Sequence, residues 1–364
     1  MTDIRVRRLE DTAEFLTRWA ALYRHAENPS FYQSPAWMTA WLESVGSAAL
    51  YSVEASREGR TLMMGVVGAG PRRPAVLGLK EVRLQETGDP ALDDIYVEYN
   101  DFLAAPEAGA DMRRDIIDTL AREFSGADAL VFRNVRAPLA QAARASATAG
   151  AWNCVTLREQ PVFVVDLGAI RNAGGDFLAS LGGSFKTKLR RAMAGYEQRG
   201  ALSCHVASTE DERRTAWERL SALHQESWRA RGKPGSFANQ KLVAFHKNLQ
   251  RHAGEAAQLF EVRCGAETIG VLYNFIHEKR VLNYQSGFKL EDDNKLTPGF
   301  VCHALACQYY LEAGFEIYDL LAGEADYKKR LGTPSETLTS LSLERASPRN
   351  KVRHLMKSLS RRLA

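Results

Sequence analysis

Residues 280–333 constrain the fold more than any other stretch, because they contain two strands with a helix between them. The segment RVLNYQSGF is rich in β-favouring residues and predicts the first strand. Thr297 and Pro298 then predict a helix start, with the threonine side chain as N-cap, and Gly314 predicts the helix end. The segment IYDLL predicts the second strand. A strand, a crossover helix and a strand form a βαβ unit, so the two strands are expected to be parallel.

The start of this helix is expected to bind an anion. It follows the carboxyl end of the first strand, and the first N–H groups of a helix have no partner within the helix. Those groups and the helix dipole attract negative charge without any charged side chain. The stretch therefore predicts a phosphate-bearing ligand.

The order of motifs in this stretch resembles the closing half of a GNAT-superfamily acyltransferase domain. QSGF is followed by TPG, a helix and IYDLLAGEADYKKRLG. The closer resemblance is to the CelD-like branch found near bacterial cellulose and exopolysaccharide genes, to which bacterial ceramide synthases are similar. The resemblance implies that the strand–helix junction holds the donor's pyrophosphate, through Gln285, Ser286, Gly287, Thr297, Pro298, Gly299 and Phe300.

The Gln/Arg-x-x-Gly-x-Gly/Ala turn of the superfamily is absent here, and TPGF stands in its place. Two donors therefore stay open, acyl-CoA and acyl-carrier protein. Either one would be a co-substrate, and no permanently bound cofactor is expected.

The length of 364 residues predicts two domains. Residues 168–345 follow the GNAT order of strand, two helices, three strands, helix, strand, helix and strand. Residues 1–167 read as a degenerate copy of that plan, and their FYQSPAW motif also resembles the CelD-like branch. The predicted fold is an α+β (α/β) sandwich of two tandem GNAT-like domains, each a mixed, twisted central sheet flanked by helices. Residues 346–364 form a basic tail.

Several local patterns predict elements outside the central stretch. Ser34 and Pro35 predict a helix start, with Trp37 and Trp41 on one face. Residues 95–103 predict a strand. Ser184 is predicted to cap a basic helix that ends before Gly200.

Composition excludes several other classes of protein. Hydrophobic residues make up 45% and charged residues 25%, as in ordinary soluble domains, and no apolar run is long enough to span a bilayer. The five cysteines include no C-x-x-C pair, which argues against a disulfide framework and a metal site. The N-terminus lacks an apolar signal core, so we expect a cytoplasmic protein. The net charge of +4 is concentrated in the tail, which does not favour nucleic-acid binding.

Acyl transfer to an amine requires a polarised carbonyl, a neutral amine and a proton for the leaving thiolate. The GNAT resemblance implies that a backbone N–H within residues 283–287, on a bulged strand, polarises the carbonyl. It also implies that Tyr327 is the acid, although the ring could equally pack on the sheet.

Asp319 and Glu324 are the candidate bases. Apolar neighbours would desolvate the Asp319 carboxylate and favour its neutral form. The alternative is a buried carboxylate fixed by Lys328 or Lys329. Glu324 is expected nearer the mouth of the cleft. The residues fit the family motif Y-D-x-x-x-G-x-x-x-Y-K, whose last position is Lys328.

Two further groups are candidates for binding the acceptor. The basic helix carries two cationic stripes that would suit a phosphorylated acceptor, although a solvated surface explains them as well: Lys186, Lys188, Arg190 and Arg191. His224 and Trp228 lie four residues apart and either line the acceptor pocket or pack together on one helix face.

The tail predicts a basic amphipathic helix. Val352, Leu355, Met356, Leu359 and Leu363 share one stripe, and the six cations of residues 346–364 have no acid among them. This pattern favours a contact with an anionic membrane surface, and a helix docked on the protein's own core is the alternative.

The resemblance and these patterns together imply an N-acyltransferase, cytoplasmic and peripheral on the inner membrane. It would transfer an acyl group from a thioester to the amine of an envelope lipid or sugar precursor, such as a long-chain base. Two alternatives stay open: an aminoacyl-tRNA-dependent transferase acting on a cell-wall precursor, and a non-catalytic GNAT-like regulatory protein that binds a nucleotide or a carrier protein. The peptidoglycan-bridge aminoacyltransferases also contain tandem GNAT halves. A tRNA-dependent enzyme would need an inserted coiled-coil hairpin, and no long heptad pattern is visible.

Overall fold

The computed structural model describes residues 2–46, 49–71, 78–149 and 152–353. Its strands are β1 (Thr2–Arg8), β2 (Leu50–Arg57), β3 (Arg60–Pro71), β4 (Lys80–Leu84), β5 (Leu103–Ala104), β6 (Ala129–Val135), β7 (Trp152–Asp166), β8 (Leu202–Val206), β9 (Ala257–Cys264), β10 (Glu267–His277), β11 (Arg280–Phe288), β12 (Ile317–Ala322) and β13 (Thr333–Arg345). Its helices are α1 (Thr12–Tyr23), α2 (Pro35–Val45), α3 (Pro90–Asp93), α4 (Gly109–Glu123), α5 (Ala137–Ala149), α6 (Leu167–Asn172), α7 (Phe177–Ser180), α8 (Gly183–Glu197), α9 (Glu210–Arg229), α10 (Gln240–Ala253), α11 (Pro298–Glu312) and α12 (Asp326–Leu331).

The chain forms two compact units. Unit 1 contains Met1–Gln160, Ala244–His252 and Thr337–Ala364, and unit 2 contains Pro161–Val243 and Ala253–Glu336. The change of unit falls within β7, α10 and β13. The predicted domain boundaries at residues 167 and 345 stay a prediction.

Unit 1 contains a mixed sheet in the order β1-β2-β3-β4-β6-β13, with β5 paired to β3. Its only parallel pair of neighbouring named strands in the described residues is β4–β6, from Glu81↔Ala129 to Arg83↔Val131. The helix predicted at Pro35 is confirmed, and the Ser34 side chain accepts a hydrogen bond from the backbone N–H of Trp37. Trp37 and Trp41 are both buried, as their spacing predicts.

Unit 2 contains the end of β7 followed in order by β12, β11, β10, β9 and β8. β11 and β12 are parallel, as the βαβ pattern predicts, and the other described pairs are antiparallel. Helices flank the sheet, and a large buried cluster that includes Leu189, Val301 and Tyr318 joins them to it. The predicted α+β class, with mixed sheets flanked by helices, is confirmed.

The strand predicted at residues 95–103 is wrong. Most of the segment is irregular, with one bridge at Asn100↔Val135 before β5 begins at Leu103. Carboxylates occupy backbone groups that a sheet would use: Asp93 accepts from the N–H groups of Thr87 and Gly88, and Asp101 from that of Phe102. Side chains that bond to the nearby backbone compete with strand pairing.

The predicted cap at Ser184 is also wrong. α8 begins at Gly183 with Gly182 in the N-cap position, and no side chain caps it. The carbonyl of Gly182 instead accepts the N–H of Lys186 at 2.8 Å, which starts the helix two residues earlier than expected.

The first part of the tail packs on unit 1. The Asn350 amide donates to the Asp128 carbonyl at 2.9 Å, and Arg353 is paired with Glu81 at 3.2 Å and Glu344 at 3.5 Å. For residues 346–353 the alternative of a core-docked segment is therefore correct. Residues 354–364, which carry most of the predicted membrane contact, lie outside the described part of the chain. None of the described helices combines the length and the apolar character needed to cross a bilayer.

Gly68 allows the loop that follows β4 to pass directly over β3. A Cβ at this position would lie 2.1 Å from the carbonyl oxygen of Glu86, whereas a Cβ at Gly70 would meet nothing within 4 Å. We expect Gly68→Ala to lower the free energy of unfolding by about 1–3 kcal/mol, because backbone must move. Gly70→Ala, two residues along the same strand, should stay within about 0.5 kcal/mol of the wild type. Urea unfolding measures both, and equal values for the two variants would contradict the close contact.

Candidate active site

The pairing of β11 with β12 ends in the middle of unit 2. It runs from Arg280↔Ile317 to Leu282↔Asp319, although β11 continues to Phe288. The β12 side of residues 283–288 is therefore free of β12 pairing. Residues 283 and 285–288 are called the unpaired edge of β11 below. Such an edge presents N–H and C=O groups that a ligand can bind.

Asp319 holds β12 at the point where this pairing ends. Its side chain is fully buried, and one oxygen accepts from the Arg280 guanidinium at 2.8 Å. Its other oxygen accepts the N–H of Leu321 at 2.7 Å, and Leu321 lies in the left-handed region with φ 63°. The expected cation was a lysine, and the structure supplies Arg280. Asp319 is thus a carboxylate held on both oxygens.

Lys328 completes this turn from the other side. Its buried ammonium donates to the carbonyl oxygens of Leu321 at 3.2 Å and Ala322 at 2.6 Å. Glu324 is exposed, and its carboxylate lies 3.9 Å from the Lys329 ammonium. Of the three charged candidates in this motif, Glu324 is therefore the accessible one.

A β-bulge lies in β11, within the predicted range of residues 283–287. Asn274 pairs with Asn283, whereas Tyr273 pairs with Gln285, which leaves Tyr284 with no residue directly opposite on β10. The predicted bulge is confirmed. A bulge turns backbone groups out of the ladder, and the N–H groups beside it can then face a ligand.

The predicted donor-binding residues of β11 also contact α9 and the segment after it. The Gln285 amide donates to the Ser236 hydroxyl at 3.3 Å, and the Ser286 carbonyl oxygen lies 3.0 Å from Nδ1 of His224. A Cβ on Gly287 would lie 2.6 Å from the Leu220 carbonyl oxygen, so this position brings β11 close to α9.

His224 and Trp228 form a packing pair with polar contacts. His224 is buried, its ring centre lies 5.7 Å from that of Trp228, and burial lowers its pKa. Nε2 of His224 accepts the N–H of Ser236 at 3.4 Å. The neutral imidazole therefore joins β11 to the segment after α9.

The start of α11 differs from the predicted capped start. Pro298 is in the first turn, but Thr297 lies in the left-handed region with φ 30° and its side chain makes no cap hydrogen bond. The predicted side-chain cap is wrong, because the Thr297 carbonyl instead accepts the N–H groups of Phe300 and Val301. Thr297, Pro298, Gly299 and Phe300 are all partly exposed.

Elements that carry cations pack near this helix start. The Phe185 ring of α8 packs edge-on against Phe300 at 4.9 Å between ring centres, and the Arg330 guanidinium lies over Phe185 at 6.0 Å. Lys186 donates to the Ala179 carbonyl at 3.2 Å. The other three cations of the predicted stripes are exposed: Lys188, Arg190 and Arg191. An anion at the start of α11 would meet positive charge from α8 and α12.

His303 on α11 is a residue that the sequence interpretation missed. Its Nδ1 lies 3.1 Å from the Tyr318 hydroxyl, and its ring stacks on that of Tyr327 with centres 5.2 Å apart. Burial lowers the pKa of His303 to about 3, and the Lys328 ammonium acts in the same direction. The predicted acid, Tyr327, is half-buried on this neutral imidazole.

A buried row of polar side chains was missed as well. The Asn283 amide donates to Asn274 at 2.9 Å, the Asn274 amide donates to the Tyr310 hydroxyl at 3.2 Å, and that hydroxyl donates to Gln258 at 2.8 Å. The row begins beside the bulge. The side-chain amides of this row give no periodic signal in the sequence, and only the apolar residues beside them indicate that they are buried.

The described residues contain no cluster of three or more metal-ligating side chains.

Replacing His303 should change how stability depends on pH. The folded imidazole stays neutral down to about pH 3, whereas in the unfolded chain it titrates at its usual pKa of 6.5. The unfolded state therefore binds an extra proton between these values, and stability falls as the pH drops below about 6.5. Between about pH 7.5 and 5, the wild type should lose about 2 kcal/mol more than His303→Gln. Urea unfolding at both pH values measures the difference.

His25→Gln is the matched control, because His25 is exposed. It should keep the wild-type pH dependence. A His303→Gln variant with the wild-type pH dependence would show that the imidazole titrates normally in the folded protein.

Comparison with known proteins agrees with this geometry. Residues 183–329 match the family model described as an acetyltransferase (GNAT) domain. A comparison with curated protein sequences gives no match.

Among solved structures, the chain is similar to FemX, with a TM-score of 0.61 and 11% identity over 93% of this chain and 98% of that one. It is similar to the C-terminal domain of a putative lysylphosphatidylglycerol synthetase from Agrobacterium fabrum, with a TM-score of 0.53 and 14% identity over 95% and 96%. It is also similar to a tandem GNAT protein of the clavulanic acid biosynthesis pathway, with a TM-score of 0.53 and 15% identity over 95% and 99%.

At these identities the solved structures share the fold alone. The family match supplies the class of enzyme and covers α8 to α12, which contain the bulge, the unpaired edge and the start of α11. Residues 183–329 therefore match an acetyltransferase (GNAT) domain, and this match supports an acyltransferase enzyme.

Proposed function

We propose that the protein is an N-acyltransferase that moves an acyl group from a thioester to the amine of an envelope lipid or sugar precursor. The parting of β11 from β12 beside a partly exposed helix start is the observation that carries this proposal. A pantetheine arm contains two amide groups, which can bond to the unpaired edge of β11 as a neighbouring strand would. Its phosphates then reach the amides that begin α11.

The charge around α11 favours a phosphate-bearing donor. Phe185 of α8 packs on Phe300, and the Arg330 guanidinium of α12 lies over Phe185. Acyl-CoA and acyl-carrier protein both present phosphate next to pantetheine, so this arrangement supports either one. We expect CoA to be the stronger ligand of the isolated protein, because its additional phosphates add charge.

The chemical step can be assigned to residues of this site. The neutral amine attacks the thioester carbonyl carbon while a backbone N–H beside Tyr284 stabilises the oxyanion. The C–S bond then breaks, and the thiolate takes a proton from the Tyr327 hydroxyl. The amine loses its proton to Glu324, since both oxygens of Asp319 are already held.

The acceptor is proposed to be a long-chain amino base or an amino sugar. The exposed cations of α8 support an acceptor that carries phosphate, and Trp228 offers a partly exposed ring with Lys233 5.6 Å from its centre. The predicted contact with an anionic membrane would rest on residues beyond 353, because Arg349 and Arg353 are engaged by Asp128 and Glu81. Peripheral binding to the inner membrane stays part of the proposal.

An aminoacyl-tRNA donor is the second candidate, and the similarity in fold to FemX supports testing it. The longest described helix is α9, with 20 residues, and the described chain contains no helical hairpin of coiled-coil length. Assays with aminoacyl-tRNA in place of acyl-CoA separate the two donors. A non-catalytic binding protein would turn over neither.

Tyr327→Phe tests the proposed acid. Removing the hydroxyl should lower kcat by about 10²–10⁴-fold and leave KM within about threefold, because only the proton transfer is lost. Release of CoA from acyl-CoA with a long-chain base or an amino sugar measures the rate. Tyr309→Phe, on the exposed side of α11, should keep wild-type kcat. Unchanged kcat in Tyr327→Phe would show that the ring only packs on His303.

Arg330 and Lys188 test the phosphate site. The double variant Arg330→Ala/Lys188→Ala should raise the Kd for CoA about tenfold and leave the Kd for pantetheine within about twofold. Calorimetry with the two ligands measures this, and Lys247→Ala, an exposed lysine of unit 1, is the control. Equal weakening of both ligands, or of neither, would contradict phosphate binding at the start of α11.

A further inference from the structure

Unit 1 contains a cavity of about 350 Å³ along the parallel strands β4 and β6. The loop after β4 contributes Glu86, Asp93 and Asn100 to its wall, and β6 contributes Arg133. The volume is within the range of small-molecule sites, and the loop lies at the carboxyl end of a parallel strand, where ligands commonly bind.

Two buried acceptor atoms of the lining residues have no hydrogen-bond partner within the described chain. Asn100 is 2% exposed, and its amide oxygen is unpaired. One oxygen of Glu86 is also unpaired, while the other accepts from Arg133 at 3.2 Å. A buried acceptor without a donor is unfavourable, so both atoms suit a ligand that brings N–H or O–H groups.

The charge of this wall favours an amine over an anion. Asp93 is held by the N–H groups of Thr87 and Gly88 and by the Thr87 hydroxyl, and none of these is a cation. Among the described residues, Arg133 is therefore the one cation that forms an ion pair with either of these two carboxylates, and its partner is Glu86. Burial raises the pKa of Glu86 to about 7, and the charge of Asp93 adds to the rise. A nearby ammonium would restore the charged form.

Glu81, another carboxylate of the wall, is already paired. It accepts from Arg83 at 2.6 Å and from Arg353 at 3.2 Å, and Arg353 also lies 3.5 Å from Glu344. Arg158 is a further cation of the lining, so the unpaired oxygen of Glu86, and no surplus of negative charge, is what offers a place to a ligand ammonium.

We propose that unit 1 binds a small molecule carrying a primary amine flanked by hydroxyl groups, with the ammonium at Glu86 and Asp93 and a hydroxyl donating to Asn100. This goes beyond the proposed function, because an ammonium held by carboxylates is not a nucleophile. The site is one of recognition, independent of the thioester chemistry.

Calorimetry on the full chain tests the site with D-glucosamine and with 2-amino-1,3-propanediol. At least one of them should bind to the wild type, and glucose and N-acetylglucosamine, which lack a free amine, should bind at least about tenfold more weakly. Glu86→Gln keeps the shape of the side chain and should weaken the amine at least about tenfold while keeping the wild-type Tm. Glu107→Gln, an exposed carboxylate of the same unit, should bind as the wild type does.

Three results would overturn the assignment. One is that neither amine binds up to about 10 mM. Another is that glucose binds as tightly as glucosamine, which would require hydroxyl recognition alone. The third is that inorganic phosphate binds and displaces the amine, which would make Arg133 the centre of an anion site. The comparison of ligands on the wild type decides the question even where a variant fails to fold. Acyltransfer activity is a separate measurement, so loss of one proposal leaves the other standing.

Discussion

The ending of the β11–β12 pairing at Leu282 and Asp319 is the constraint on which the site in unit 2 depends. Two parallel strands inside a sheet normally continue to pair, because unpaired backbone groups are unfavourable when buried. Here side chains form the hydrogen bonds to the backbone that strand pairing would otherwise provide. Asp319 accepts the N–H of Leu321, and Lys328 donates to the Leu321 and Ala322 carbonyls. Two buried charges are thus used to hold a turn that no strand partner supports, which leaves the edge of β11 available to a ligand.

The same arrangement explains why Tyr327 has a fixed position. It is one residue before Lys328, so the contacts of that ammonium set where its ring lies. The ring stacks on His303, whose Nδ1 is next to the Tyr318 hydroxyl of β12. Because burial keeps His303 neutral at ordinary pH, its ring gives Tyr327 an uncharged surface. The ring that is proposed as the acid for the leaving thiolate is therefore held against an uncharged surface.

The sequence predicts the parts of this site that depend on neighbouring residues. The βαβ unit and the accessible helix start follow from local strand, turn and helix signals, and the bulge in β11 follows from the resemblance to GNAT domains. The partner of Asp319 could not be predicted, because Arg280 is 39 residues away and only strand pairing brings the two together. His303 has no periodic or motif signal on a helix that is apolar almost throughout. The strand predicted at residues 95–103 failed for the same reason: the bond from the Phe102 N–H to Asp101 competes with strand pairing and depends on the fold.

The two units differ in the charged residues that lie beyond their parallel strand pairs. Each unit has a described pair of parallel strands joined over three residue pairs, β4–β6 in unit 1 and β11–β12 in unit 2. Beyond the pair in unit 2, a helix start and cations of α8 and α12 favour phosphate. Beyond the pair in unit 1, the strand leads into a loop with Glu86 and Asp93, and no long helix begins there to offer its first amides. A phosphate-bearing donor would meet these carboxylates in unit 1, which is why the proposed thioester site is placed in unit 2.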